Sequence, residues 1–111
     1  MKLRLEENSL RLRLSAEEVQ QFAVTGRVAY TIAFGPTTGQ KLNYALERLP
    51  DTDVATAMQV RYEAGALAIE VPAAVARNWT DTENIGFNGQ VLVAEGQKLR
   101  ILVEKDLDCR H

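Results

Sequence analysis

The stretch KLRLEENSLRLRLS, residues Lys2–Ser15, contains the pattern from which the architecture can be predicted. Apolar and charged side chains alternate in two runs within it, and a period of two is typical of half-buried β-strands. The apolar positions are Leu3, Leu5, Leu10, Leu12 and Leu14. Asn8 lies between the two runs, and asparagine tolerates the positive φ of a tight turn. The stretch therefore predicts a β-hairpin with one apolar and one charged face.

A short helix is predicted directly after this hairpin. Ser15 is followed three residues later by Glu18, which is the spacing of a capping box. The apolar stripe of the helix consists of Val19, Phe22 and Ala23. Two further alternating runs, at residues 28–34 and 42–46, predict two more strands. The first half of the chain is thus predicted to fold as strand–strand–helix–strand–strand.

The second half repeats the first with an offset of 57 residues. The tetrapeptide GQKL occurs at 39–42 and at 96–99, and residues 2–48 align with 59–105 without a gap. Ten of the 47 aligned pairs are identical, and the apolar positions keep their phase. Aligned apolar pairs include Leu12/Ile69, Phe22/Trp79, Val28/Ile85 and Tyr30/Phe87. The pattern predicts a single domain, residues 1–111, with pseudo-repeats 2–48 and 59–105 and a linker at 49–57.

The second repeat meets the same structural needs with different residues. Gly65 stands where the first repeat has Asn8, and glycine also accepts a positive φ. Pro72 stands where the first repeat has Ser15, near a helix start, where a missing N–H costs little. Both halves therefore predict the same succession of elements.

The predicted fold class is α+β, with a duplicated ββαββ unit, eight mainly antiparallel strands and two short helices. A single hairpin cannot bury its apolar face, so two copies are expected to share one core. Two arrangements satisfy the pattern. The strands form an open sandwich with the charged face in water, or they close into a barrel with the charged face inside.

Composition excludes several classes of function. Thirteen Lys and Arg against fifteen Asp and Glu leave a net charge of −2, so no bulk charge indicates nucleic acid or an anionic membrane as a partner. Charges interrupt every apolar run near the N-terminus, which argues against a signal peptide or a membrane span. The single cysteine, Cys109, cannot form an internal disulfide. A cytoplasmic location is expected.

The residues offer little for catalysis or metal binding. The only histidine is His111, the last residue, so a catalytic triad that uses it is not expected. Cys109 and His111 are only two of the roughly four ligands that a structural zinc site needs. We therefore predict no cofactor, no metal site and no catalytic residue, and expect a protein that is not an enzyme.

The charged face supplies the one candidate ligand site. Its cationic members, taken as candidate anion-binding residues, are Arg4, Arg11, Arg13, Lys41, Arg61, Lys98 and Arg100. The first hypothesis is a non-enzymatic binding domain. Its partner is a protein or a small anionic ligand, and exposed sheet edges allow it to form a homodimer.

The alternative hypothesis is a barrel whose Arg- and Lys-lined interior binds or hydrolyses a phosphate chain. Triphosphate-tunnel enzymes have such a layout, and they carry an E-x-E-x-K strand near the N-terminus. The first strand here is KLRLE, with basic residues where those metal-binding acids are expected. The likeness to these enzymes is therefore one of architecture only.

The two ends of the chain carry a family resemblance. The opening MKLRLEENSLRLRLS and the closing LRILVEKDLDC resemble the ends of a small family of uncharacterised bacterial proteins. That family has an N-terminal K-[LI]-R-[LI]…NS-[LI]-R-L-R-[LI]-[ST] motif and a C-terminal ILVEKD-aromatic-x-C motif, in which Leu107 here replaces the aromatic residue. The resemblance implies a bacterial, cytoplasmic protein with a compact fold, and it implies no activity.

Overall fold

The structure is a computed structural model that describes residues 1–54 and 56–106. The first repeat contains β1 (Lys2–Glu6), β2 (Ser9–Leu14), α1 (Ala16–Thr25), β3 (Arg27–Ala33), a 3-10 turn (Thr38–Gln40) and β4 (Lys41–Arg48). The second contains β5 (Gln59–Glu63), β6 (Ala66–Val71), α2 (Ala73–Asp81), β7 (Gly86–Ala94) and β8 (Gln97–Lys105). The predicted α+β class is confirmed. The Cys109–His111 tail lies outside the described residues.

The strands form two separate four-stranded sheets. Sheet 1 has the order β1-β2-β8-β7 and sheet 2 the order β3-β4-β6-β5. Each sheet thus combines the first hairpin of one repeat with the second hairpin of the other. The central pairs, β2 with β8 and β4 with β6, are parallel, and the four hairpin pairs are antiparallel. Each sheet keeps two free edges, so the barrel alternative is wrong and the open arrangement is confirmed.

Four backbone hydrogen bonds show that the two repeats dock onto each other in the same way. The carbonyl oxygens of Asn8 and Gly65, in the two hairpin turns, accept from the N–H groups of Arg100 and Asn43 at 3.0 and 2.8 Å. At the other end of the central strands, Leu14 and Val71 accept from Asp106 and Leu49, both at 2.8 Å. At each end of the central strands, the two acceptors are 57 residues apart in sequence, and so are the two donors. The exchange of hairpins is therefore reciprocal.

One strand departs from the offset of 57. Val28 lies opposite Leu46 in sheet 2, whereas the corresponding residue of β8, Val103, lies opposite Phe87. Val28 thus corresponds to Phe87, and the gapless alignment of Val28 with Ile85 is wrong by two residues. Two extra residues follow α2, and the connection between β7 and β8 is shorter than the one between β3 and β4. A shift of two preserves the inward and outward phase of a strand.

The turns and caps explain where the elements begin and end. Ser15 and Glu18 form the predicted capping box, and Gly26 ends α1 with φ 77°. Pro72 is the N-cap of α2. In the two equivalent hairpins, Glu7 and Ala64 adopt φ values of 50° and 51°. The positive φ of the first turn therefore lies at Glu7 rather than at the predicted Asn8, while Gly65 has φ 79° as predicted.

A single apolar cluster joins both sheets and both helices. Its fully buried members are Leu12, Leu14, Phe22, Val28, Leu46, Ile69, Val71, Trp79, Ile101 and Val103. The inner faces of the sheets are most buried near the helices and open toward the hairpin turns, where Phe34 and Tyr62 are 72% and 65% exposed. Leu12 and Ile69 are both 1% exposed, so the alternating pattern placed the core faces correctly. Neither described helix has the length and apolarity to cross a membrane.

Candidate anion-binding face

The outer face of sheet 1 collects most of the cations of the first candidate site. Alternation along β1, β2 and β8 directs these side chains away from the core. Six cations share this surface, which we call the cationic face: Lys2, Arg4, Arg11, Arg13, Lys98 and Arg100. Of the carboxylates in the described part of the chain, only three share it, those of Glu6, Glu104 and Asp106. The face is therefore positive although the chain as a whole is negative.

The structure divides the sequence-predicted residues between the two sheets. Arg4, Arg11, Arg13, Lys98 and Arg100 lie on the cationic face. Lys41 and Arg61 lie on the outer face of sheet 2, on the far side of the core. None of the seven lines a barrel interior, because the sheets do not close. Lys2 belongs to the same face and was not in the predicted set, although it stands two residues before Arg4 in the same strand.

Glu104 is the main internal partner of the cationic face. Its Oε1 accepts from Nη2 and Nε of Arg13 at 2.8 and 3.1 Å. The Nε of Arg11 is 3.6 Å from the same oxygen, which is an ion pair without a hydrogen bond. One carboxylate is therefore shared by two guanidinium groups. Arg11 retains most of its donors for another partner.

The charges of Arg4 and Arg100 are less neutralised by nearby carboxylates than those of Arg11 and Arg13. Arg4 makes a 3.0 Å ion pair with Glu6, in which both side chains are more than 60% exposed, so that pair is weak. Among the residues that the structure describes, no carboxylate lies within ion-pair distance of Arg100. Arg4 also stands directly opposite Arg11 in the register of β1 and β2. Like charges in that position destabilise a hairpin.

A cavity of about 320 Å³ lies on this face, beside the under-neutralised arginines. Its polar lining is contributed by Arg4, Glu6, Ser9, Arg11, Asn88, Gln90 and Arg100. The one carboxylate of this lining, Glu6, is paired with Arg4. A smaller depression of about 150 Å³ adjoins it, between Lys2, Arg4, Arg11 and Arg13. The three guanidinium groups and two carboxamides of the lining offer many more N–H donors than its carboxylate, amide and hydroxyl oxygens offer acceptors. The cavity is therefore suited to an electron-rich, anionic group.

Several of the cationic positions of sheet 1 hold uncharged or acidic residues in sheet 2. Ala68, Glu70 and Asn43 stand where sheet 1 has Arg11, Arg13 and Arg100. The outer face of sheet 2 has three cations and three carboxylates: Arg27, Lys41, Arg61, Glu47, Glu63 and Glu70. Glu47, the counterpart of Glu104, bridges Arg27 and Arg61 with two 3.0 Å hydrogen bonds. The cationic face is therefore a property of one repeat pairing and not of the fold.

A second polar cluster lies at the start of the chain, outside the cationic face. The carboxylate of Glu18 accepts from the Met1 amine, the Tyr30 hydroxyl and the Ser15 backbone N–H. Burial by itself raises the pKa of Glu18, but these hydrogen bonds and the positive charge of the amine lower it to about 2. The hydrogen bond to Glu18 raises the pKa of Tyr30. Each of these groups is hydrogen-bonded within the cluster, so we assign the cluster a role in stabilising the fold.

Two other sequence features have structural roles. Trp79 is fully buried, and its Nε1 donates to the Ile85 carbonyl oxygen at 2.9 Å. Asp51, in the linker, forms an ion pair with Arg77 of α2. Across the described ranges, no three His, Cys, Asp or Glu side chains come together as a metal site. The cationic face is therefore the strongest candidate for function.

These features define the protein as an internally duplicated α+β sandwich with one cationic sheet face. Over residues 1–111 the chain matches the family of unknown function DUF7009, and it belongs to that family. The assignment to an uncharacterised family, made on the two terminal motifs, is thereby confirmed. No curated protein and no solved structure matches the chain.

Proposed function

We propose that the protein is a non-enzymatic binding domain whose cationic face binds a small ligand through a phosphate or carboxylate group. The observation that carries this proposal is the asymmetry of the two sheets. Sheet 1 has Arg11 and Arg100 where the equivalent positions of sheet 2 have Ala68 and Asn43. Because sheet 2 is built without these arginines, the fold does not require them.

The arginines of sheet 1 also carry a cost that a purely structural role does not explain. Arg4 and Arg11 are cross-strand neighbours of like charge, and one carboxylate, Glu104, is shared between two guanidinium groups. Sheet 2 avoids the like-charge pair by using Ala68 opposite Arg61, and Arg61 has a second carboxylate partner, Glu70, beside the shared Glu47. Sites that break a local rule without an internal gain are often functional. A bound anion supplies the missing negative charge.

The cavity matches a small ligand in size and in donors. Its volume of about 320 Å³ is at the lower end of the range for small-molecule sites. Guanidinium groups form paired, charge-assisted hydrogen bonds with phosphate and carboxylate oxygens. Arg100 and Arg11 would hold the anionic group, and the carboxamides of Asn88 and Gln90 would bond a polar remainder. The partner is therefore a small anion rather than a surface of protein.

The face is not arranged for hydrolysis. Glu104 and Glu6, its carboxylates nearest the cavity, each already accept from arginine side chains. In these pairs the carboxylates hold arginine side chains, and we assign them that role rather than proton transfer from an attacking water. The proposal therefore includes binding and no chemical step, and a compartment rich in small phosphorylated or carboxylated metabolites, such as the cytoplasm, fits it.

Calorimetric titration tests the proposal. We would titrate the protein with inorganic triphosphate, a sugar monophosphate and a tricarboxylate, at low salt. At least one should bind, and Arg100→Asn and Arg11→Ala should each weaken it about tenfold or more, since a charged hydrogen bond contributes about 1.5–3 kcal/mol. Each substitution introduces the residue found at the equivalent position of sheet 2, Asn43 for Arg100 and Ala68 for Arg11. Both variants are therefore expected to fold.

Arg61→Ala is the matched control, because Arg61 is the sheet 2 counterpart of Arg4 and lies away from the cavity. It should leave the affinity within about twofold of the wild type. Absence of binding by all three anions would overturn the proposal. Equal weakening by Arg61→Ala would also contradict it, because binding would then reflect overall charge.

A further inference from the structure

We propose that two copies of the chain associate through β7, which pairs antiparallel with the β7 of the second copy. The two copies of sheet 1 then form one continuous eight-stranded sheet. The inference does not depend on the anion site. It rests on the charge pattern, the free backbone groups and the register of one edge strand.

The first observation is that β7 is an uncharged edge. No Asp, Glu, Lys or Arg occurs between residues 84 and 94, and β7 is nine residues long. The edge strands β1 and β5 have five residues each, and charges stand at alternate positions of β1 and at Arg61 and Glu63 of β5. Charges on short edges prevent sheet-to-sheet association. β7 lacks this protection.

The second observation concerns the backbone of β7. The N–H of Lys105 donates to the Ile85 carbonyl oxygen at 2.8 Å, so residues 85 and 105 form a hydrogen-bonded pair. In an antiparallel pair such residues alternate, so the backbone groups of Asn88 and Gln90 point away from β8. Within the described ranges, no other backbone group bonds to them. The backbone N–H and C=O groups of Asn88 and Gln90 are therefore available to hydrogen-bond to another strand.

The third observation fixes the register. A β-bulge interrupts the pairing of β7 with β8 between Leu92 and Ala94. The regular part is therefore Gly86–Leu92, and its midpoint is Gly89. Pairing about Gly89 sets Asn88 opposite Gln90 of the second copy, and both have free backbone groups. The hydrogen-bonding pattern of a twofold strand pair is thus satisfied.

The side chains agree with this register. On the inner face, Phe87 meets Val91 of the second copy, an aromatic and β-branched pair of the kind that stabilises sheets. On the outer face, the carboxamides of Asn88 and Gln90 meet, and Leu92, which is 67% exposed, lies beside Gly86. No like charges oppose each other anywhere in the pair. The strand is therefore complementary to itself.

The equivalent edge, β3, is less suitable for self-pairing. It begins with Arg27, and Tyr30, at the position of Gly89, is hydrogen-bonded to the Glu18 carboxylate. Pairing about Tyr30 would bring two bulky rings and two carboxylates toward one axis. β7 has a glycine at that point. Since Asn88 and Gln90 also line the anion cavity, the second copy would place its Gln90 at the rim of each site.

Sedimentation analysis of the full chain tests the inference. The wild type should have about twice the 12.3 kDa chain mass, over a concentration series. Asn88→Pro removes an edge N–H and should give a monomer. Ala29→Pro, at the corresponding position of β3, is the matched control and should remain a dimer. A monomeric wild type, or a dimeric Asn88→Pro, would overturn the proposal.

A second variant guards against misfolding of the proline variant. Asn88→Lys combined with Gln90→Lys keeps every N–H but sets like charges opposite each other across the pair. It should be monomeric at low salt and regain dimer as salt screens the repulsion. Hydrogen exchange supplies an independent readout: the amides of Asn88 and Gln90 should be protected in the wild type and exchange fast in the double variant. Fast exchange in the wild type would refute the pairing.

Discussion

Phe22 and Trp79 occupy the same position in the two repeats and pack against each other edge to face, with 5.9 Å between ring centroids and an angle of 66°. This contact joins α1 to α2, and both side chains are fully buried. The edge-to-face arrangement is favoured by the quadrupoles of the two rings. The two repeats are therefore tied by their largest apolar residues.

Phe22→Ala should destabilise the protein by about 3–5 kcal/mol, because it removes buried surface and leaves a cavity beside Trp79. Urea unfolding monitored by tryptophan fluorescence measures this directly, since Trp79 is the only tryptophan. Val24→Ala on the same helix is the control, because Val24 is 70% exposed. It should change stability by less than about 0.5 kcal/mol. Equal effects of the two substitutions would show that the ring contact contributes little.

Gly65→Ala and Gly96→Ala should differ, although both glycines have positive φ. Gly65 has φ 79°, and a Cβ there would lie 2.9 Å from the Lys41 carbonyl oxygen. Gly96 has φ 74°, and apart from its two chain neighbours no atom of the described residues lies within 4 Å of its Cβ position. Both should lose about 1 kcal/mol to backbone strain, and Gly65→Ala should lose more because backbone must move. Thermal unfolding of the two variants compares them. A smaller loss at Gly65 would contradict the close approach.

The repeat made most of this fold predictable from sequence. Alternation places Leu12 and Ile69 inward, and Ser15 with Glu18 marks a helix start, because local patterns report local structure. The phase of a strand is visible in its period of two, but a shift by two is not. The gapless alignment therefore places Phe87 with Tyr30, whereas its structural counterpart is Val28. Only the pairing with Val103 reveals the difference.

The sequence does not predict that each sheet combines hairpins from both repeats. Nothing local to β2 indicates that it pairs with β8, because parallel partners meet only through tertiary packing. The candidate site depended on that step. Alternation showed that Arg11 and Arg100 lie on charged faces, but it could not show that they share one sheet while Arg61 lies on the other.

Glu18 should make the free energy of unfolding fall as the pH is lowered below about 4.5. Its folded pKa is about 2 against an ordinary value of 4.5, so the folded chain holds the carboxylate ionised when the unfolded chain protonates it. The contribution is complete above about pH 4.5 and is lost as the pH falls toward 2. Because the carboxylate is only partly buried, solvent screening reduces this contribution to about 1–2 kcal/mol at neutral pH. Urea unfolding at a series of pH values should show this loss in the wild type.

Glu18→Gln should remove that part of the pH dependence, and it should lower stability at pH 7 far more than at pH 2. Glu17→Gln is the neighbouring control, since Glu17 is exposed in the first turn of α1 and should contribute only about 0.3–1 kcal/mol through the helix dipole. An unchanged pH profile for Glu18→Gln would show that the cluster with Met1 and Tyr30 does not stabilise the fold.

Glu104→Gln should strengthen anion binding, which is an unusual direction for a substitution at a charged surface. Glu104 competes with the ligand for Arg11 and Arg13, so neutralising it releases both guanidinium groups. The change in binding free energy should be about 1 kcal/mol, or about fivefold in Kd, and should shrink as salt rises. Glu47→Gln is the matched control, because Glu47 makes the same kind of bridge on sheet 2 and should leave Kd unchanged. If Glu104→Gln weakened binding instead, the carboxylate would be orienting the arginines rather than competing for them, and the cavity would accept its ligand through a different set of donors.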